Sequence, residues 1–153
     1  MSWRGKSGST NRLAQTRSDA MSQQAAVVAD NSPSLDLINQ INDAFNSNDV
    51  SGIMPFFTDD ACFNTTRGPG VEGSTYQGKK AIAEAFQALF DSVETVRWEP
   101  TDVRIAGDKV YCEYMRKARS KDGDETEWMT IDVISFRDGL MTQKNSYTKV
   151  RNA

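Results

Sequence analysis

Upstream of Val93 the apolar residues of this chain recur every third or fourth position, and from Val93 onward at every second one. Three- and four-residue spacing builds one face of a helix, whereas alternation sends successive side chains to opposite faces of a strand. Four long strands are therefore predicted, at about Thr95–Ile105, Lys109–Ser120, Glu125–Arg137 and Leu140–Val150. Ala106-Gly107-Asp108, Lys121-Asp122-Gly123-Asp124 and Asp138-Gly139 separate them as turns. Pro100 lies inside the first strand and predicts a bulge or an edge position, because proline cannot donate to a ladder.

The upstream half predicts three helices. Ser32 is placed to cap the first, with Pro33 in the opening turn and Leu35, Ile38, Ile41, Ala44 and Phe45 along one stripe. Asp49 is placed to cap a short second helix at Val50–Ile53. The apolar run Ile53, Met54, Phe56, Phe57 then stops at Thr58-Asp59-Asp60, read as an acidic turn before a strand at Ala61–Asn64. A loop from Thr65 to Gly73 holds three glycines and Pro69. The third helix follows Gly78-Lys79-Lys80, with Ile82, Ala85, Phe86, Leu89 and Phe90 on one face. Helices first and antiparallel strands afterwards make an α+β domain, its curved antiparallel sheet wrapping the helices into a cone.

Composition limits what such a domain can do. The chain has 153 residues, 38% of them hydrophobic and 25% charged, enough for one core-bearing domain. Residues 1–31 have no helical or strand period and are expected to form a disordered tail, leaving 32–151 as the domain. Met21 offers an alternative start; an Arg- and Ser-rich leader suits a transit peptide, against which Asp19 and the weak amphipathicity count. The first twenty residues lack an apolar signal core, and no apolar run approaches the roughly 18 residues of a membrane span, so a cytoplasmic setting is expected. A net charge of −3 argues against nucleic acid as a partner. Histidine is absent, which removes Ser-His-Asp and Cys-His triads and His-rich zinc sites. Acid–base work must fall to Asp, Glu, Tyr, Lys or Cys. Cys62 and Cys112 read as buried free thiols, a disulfide requiring that their strands be neighbours.

Alternation sorts the strand residues by face. Val110, Cys112, Tyr114, Arg116 and Ala118 share one face, opposite Tyr111, Glu113, Met115, Lys117 and Arg119. Thr126, Trp128, Thr130, Asp132, Ile134 and Phe136 form one set of the next strand, and Thr142, Lys144, Ser146 and Thr148 one set of the last. Asp132 stands out, a carboxyl inside Ile131-Asp132-Val133-Ile134-Ser135-Phe136. Burial there disfavours its charged form unless a cation answers it. It pairs with Arg116 or Lys144 across the sheet, faces a ligand, or stands in solvent.

The segment Asn46-Ser47-Asn48-Asp49 through Phe57, Asp60 and Ala61, together with Tyr76-Gln77-Gly78-Lys79, resembles the nuclear transport factor 2-like superfamily of ketosteroid isomerases, SnoaL-like polyketide cyclases and limonene epoxide hydrolases. The element order is similar from Ser34 to Val150. This resemblance implies a deep apolar pocket and, in many members, a homodimer through the sheet, for which Tyr111, Met115, Met129, Ile131 and Val133 are the candidate contacts. It places Asp132 where ketosteroid isomerases keep a neutral oxyanion-hole aspartate. The position of that family's base is taken by Thr65, or Asn64 in the other register, and that of its tyrosine by Ile41. The hydrolase's arginine and two aspartates match Arg116, Tyr114 and Ser146, so both carboxylates are missing. Neither chemistry transfers.

The candidate catalytic set is accordingly Asp132, Arg116 and Tyr114, with Phe63, Thr65, Trp98, Cys112, Trp128, Thr130, Lys144 and Ser146 as substrate-binding residues and Arg67 in a loop placed to lid the pocket. Arg116 or Lys144 would steady negative charge while Asp132 or Tyr114 moves a proton. The expected function is a lyase, isomerase or cyclase without metal or organic cofactor, acting on a small apolar or aromatic oxygenated molecule. A non-catalytic module that binds a ligand or a protein partner is the alternative.

Overall fold

The computed structural model describes residues 32–151; the expected tail lies outside the described residues. Helix α1 spans Leu35–Asn46, α2 Val50–Ile53, and a 3-10 turn Met54–Phe56 leads into β1, Phe57–Asn64. Strand β2 (Thr75–Gln77) and helix α3 (Lys79–Ser92) precede β3 (Val93–Ala106), β4 (Lys109–Ser120), β5 (Glu125–Arg137) and β6 (Leu140–Thr148). One six-stranded sheet runs β2-β1-β6-β5-β4-β3. The α+β assignment holds, as do the four long strands. All ladders are antiparallel except β1 with β6, which run parallel because the helices and β2 intervene between them in the chain.

Local chemistry corrects two boundaries. Ser34, not Ser32, caps α1: its side chain accepts from the Leu37 amide while its own backbone is extended. Thr58-Asp59-Asp60 is not a turn but an irregular stretch inside β1, where the register against β6 shifts between Phe57 and Cys62. Asp49 caps α2 as predicted, accepting from the Ser51 amide. Pro100 meets both expectations, since β3 is the edge strand and its register with β4 shifts between Pro100 and Asp102.

Helices α1 and α3 cover one face of the sheet through a core of Ile38, Ile41, Phe45, Ile53, Phe57, Ile82, Phe86, Ile134 and Met141. Phe86 is its hub, with ring centroids 5.0 Å from Phe63, 5.1 Å from Phe45 and 6.3 Å from Phe57. Such offset and edge contacts each contribute about 0.5–1.5 kcal/mol beyond area burial.

The end of α1 is pinned to the edge strand. Asn46 donates from Nδ2 to the Trp98 carbonyl at 2.9 Å, and its Oδ1 accepts from the Trp98 amide at 2.8 Å. The side-chain amide thus behaves as one more strand residue, satisfying edge groups that would otherwise need water. Asn48, in the left-handed region at φ 55°, donates to the Val96 carbonyl at 3.3 Å. Replacing Asn46 by Ala removes two part-buried hydrogen bonds, and thermal or urea unfolding should show a loss of about 1–3 kcal/mol. A variant as stable as the parent would show that the edge of β3 is held by other means.

Candidate functional site

The register of β3 to β6 sets the inward-facing side chains in rows across the strands. Trp98, Arg116 and Trp128 form the outer row, followed by Tyr114, Thr130 and Thr148. Next come Val103, Cys112, Asp132 and Ser146, and then Val110, Ile134, Lys144 and, through the parallel ladder, Phe63. Rows two residues apart step by roughly 6.5 Å along the strands. Passing inward, the rows change from indole and guanidinium, through hydroxyls, to a carboxylate, and then to apolar side chains with the Lys144 ammonium among them.

A cavity of about 360 Å³ opens over the outer rows, within the range of small-molecule sites. Its wall takes in Phe63, Thr65, Arg67, Trp98, Tyr114, Arg116, Trp128, Thr130, Lys144 and Ser146. A second chamber of about 60 Å³ lies deeper, bordered by Ile41, Phe45, Cys112, Asp132 and Ile134. Phe86, Trp98, Tyr114 and Lys144 border both. Sequence reasoning grouped all the candidates on one face, and the structure divides them. Asp132 and Cys112 face the small chamber, Arg116 the large one, so Asp132 and Arg116 do not converge on one space. Alternation can assign a face but not the depth of a row, which the sheet register decides.

Asp132 pairs with Lys144, the second of its two expected cations. Lys144 Nζ lies 2.5 Å from Asp132 Oδ2, both side chains only 8% exposed. Ser146, directly across from Asp132, donates from Oγ to Asp132 Oδ1 at 2.5 Å and accepts from Lys144 Nζ at 2.8 Å. Both carboxylate oxygens and the ammonium are thus engaged in a closed triangle, which a buried pair requires. The ammonium also stands 5.0 Å from the Phe63 ring centroid and 5.9 Å from that of Phe45, favourable cation–π geometry. Burial, and then the charge of Asp132 and a hydrogen bond to it, hold the Tyr114 phenol well above its usual value, so this hydroxyl keeps its proton and is a hydrogen-bond donor but a weak acid. Burial, again with Asp132, pushes the Cys112 thiol up to about 11, which makes it inert as a nucleophile near neutrality. Burial lowers the Arg116 guanidinium from its usual value.

The positions matched to the isomerase base are spent on structure. Asn64 is buried, donating to Asn145 Oδ1 at 2.7 Å and accepting from Thr75 Oγ1 at 2.8 Å. Thr65 borders the large cavity, but its hydroxyl donates to the Arg67 carbonyl at 2.7 Å. That bond belongs to a loop folded back on itself, with Ser74 N donating to Arg67 O and Thr65 N to Ser74 O, each at 3.0 Å. At Gly73, φ 82°, a Cβ would stand 2.1 Å from the Thr65 carbonyl, so only glycine closes the loop. The closed loop sets the Arg67 guanidinium 5.6 Å from the Trp128 ring centroid. Sequence reasoning did not place Tyr76, Ala85, Leu89 and Thr148 in the cavity wall. The helix stripe of α3 and the alternation in β6 were the signals for three of them. Cys62 and Cys112 are free, lying on β1 and β4, which do not adjoin. Among the described residues no group of acidic or thiol ligands is arranged for a metal ion, and no helix is long and apolar enough to cross a membrane.

Three helices against a six-stranded curved sheet, with a cavity between them, define the nuclear transport factor 2-like class. Residues 38–144 match the model of the SnoaL-like domain, and the chain belongs to that family. Solved structures agree on the fold. A hypothetical protein with a ketosteroid isomerase-like fold from Catenulispora acidiphila, in complex with trimethylamine, superposes with a TM-score of 0.67 at 16% identity, covering 74% of this chain and 85% of that one. TerC, co-crystallised with polyporic acid, gives 0.67 at 21% identity over 75% and 90%. A nuclear transport factor 2-like protein of unknown function from Burkholderia pseudomallei gives 0.67 at 14% identity over 75% and 89%. No curated protein matches the chain.

Lys144→Met should destabilise by about 3–5 kcal/mol, because it strands a buried carboxylate, whereas Lys144→Met combined with Asp132→Leu should recover most of that loss. Urea unfolding of the two singles and the double checks it. Additive losses would mean that the two groups do not depend on each other.

Proposed function

We propose that the large cavity binds a small apolar or aromatic oxygenated molecule and that the Lys144-Asp132-Ser146 triangle, with Tyr114, transforms it by acid–base chemistry of the lyase, isomerase or cyclase kind. The observation behind this reading is a buried, fully bonded charged group reaching an aromatic-walled cavity, in a fold that hosts such reactions. Arg116 supplies positive charge for a developing enolate or phenolate, Lys144 offers the N–H left over from its bonds to Asp132 and Ser146, and Tyr114 donates a hydrogen bond. Asp132 does not border the cavity itself, so its part is to hold Lys144 and to accept the proton that Ser146 gives up. The neighbours' ligands, trimethylamine and polyporic acid, are consistent with a cone that admits small molecules.

A specific observation favours a second reading. Among the described residues no carboxylate lies in the wall of the large cavity, so a base must act through Ser146 or be absent, and in the latter case the domain captures its ligand without turning it over. Screening aromatic ketones, enols and phenols for conversion separates the two. Turnover is expected to fall at least ~100-fold in Asp132→Asn, with the fold checked by circular dichroism. Conversion at the parent rate by that variant removes Asp132 from the mechanism, and binding without conversion supports the capture reading.

We also propose a homodimer through the outer sheet face, where Met115, Met129, Ile131 and Val133 are half-buried, and Tyr111 and Tyr147 are 38% and 57% exposed. Light scattering coupled to gel filtration is expected to give twice the chain mass, and Ile131→Lys is expected to halve it. A parent that elutes at single-chain mass across the micromolar range would refute the dimer.

A further inference from the structure

Among the described residues the wall of the large cavity is charged in one sense only. Arg116 sits in its outer row between two indoles, directly across from Trp98 on one side and Trp128 on the other. Arg67 lines the same space from the loop, with its guanidinium 5.6 Å from the Trp128 ring, and Arg151 stands 5.7 Å from that ring. Among the described residues none of these three guanidiniums joins an ion pair, whereas Arg104, Arg119 and Arg137 each meet a carboxylate. Arg116 is half-buried and donates no side-chain hydrogen bond within the described residues, yet no fully buried polar atom there lacks a partner. Its N–H groups therefore point into the cavity, where water or a ligand must satisfy them. Such a concentration of positive charge runs against the chain's net charge of −3.

The inner end is different. Lys144 is neutralised by Asp132, and the other polar groups there are the hydroxyls of Tyr114, Thr130, Ser146 and Thr148. Uncompensated charge is thus confined to the outer row, and neutral hydrogen-bonding groups lie one and two rows further in, roughly 6.5 and 13 Å away along the strands.

Building on the reading of this cavity as a ligand site, we infer that its ligand is an anionic, planar aromatic molecule: a carboxylate, or an enol or phenol ionised at neutral pH. The acidic oxygens sit in the guanidinium cluster, where planar forks match a carboxylate's geometry. The ring lies further in, against the aromatic wall of Phe63 and Tyr76, and a neutral oxygen meets the hydroxyl row of Tyr114, Thr130 and Thr148. A one- or two-ring molecule spans that separation.

The test compares 2-naphthoate with 2-naphthylmethanol, an uncharged molecule of similar shape, by titration calorimetry and tryptophan fluorescence. Naphthoate is expected to bind at least about tenfold more tightly, with a preference that shrinks as salt is raised. Arg116→Met should bring the ratio of the two dissociation constants close to unity. Arg67→Met, a change on an exposed loop that does not enter the core, should lower the ratio partway, and it keeps the test available should Arg116→Met fail to fold. Equal binding of the two probes, or a preference that survives both variants, overturns the anionic assignment while leaving the cavity as a ligand site. Binding of neither probe overturns both.

Discussion

Placing an ammonium and a carboxylate inside an aromatic core is costly, and the triangle of Lys144, Asp132 and Ser146 is what makes it tolerable. A buried pair stabilises a fold only when its remaining donors and acceptors are met. Here the sheet register meets them: Ser146 is directly across from Asp132, and Lys144 enters from the neighbouring row. The rings of Phe63 and Phe45 close over the ammonium, and Phe86 packs on both. Two helices, the parallel β1–β6 ladder and the partition between the chambers are all committed to one charged point.

That commitment explains why the site divides as it does. Asp132 is held by the triangle beside the small chamber, so the wall of the large one is left to hydroxyls, indoles and guanidiniums. The result is a graded wall, hydroxyl-lined within and cationic at the rim, which suits the end-for-end orientation proposed for the ligand. Orientation of this kind selects among substrates through the groups that would be left unpaired if the molecule entered reversed.

Much of this was legible in the sequence because sheets obey parity. Alternation alone put Tyr114, Arg116, Trp128, Thr130, Lys144 and Ser146 on one face, and all six line the large cavity. Parity says nothing about how far one strand slides along another, and so Asp132 and Cys112, on the correct face, belong to the deeper chamber. It also cannot choose between two cations for one carboxylate. Arg116 and Asp132 stand in rows two steps apart, while Lys144 is one row away with a long flexible stem. The misplaced helix cap had a similar source: Ser32 and Ser34 both flank Pro33, and only backbone geometry distinguishes them. Thr58-Asp59-Asp60 has the composition of a turn, but its neighbours in β6 and β2 draw it into an irregular strand.

The amide at the end of the first helix has a reach that its position conceals. By gripping the main chain of Trp98, Asn46 fixes where an indole on the far wall can stand, though it lines neither chamber itself. Tuning of what the domain accepts can therefore arise outside the lining altogether. A catalogue of ligand preference confined to residues that touch the guest would overlook this hinge between scaffold and specificity.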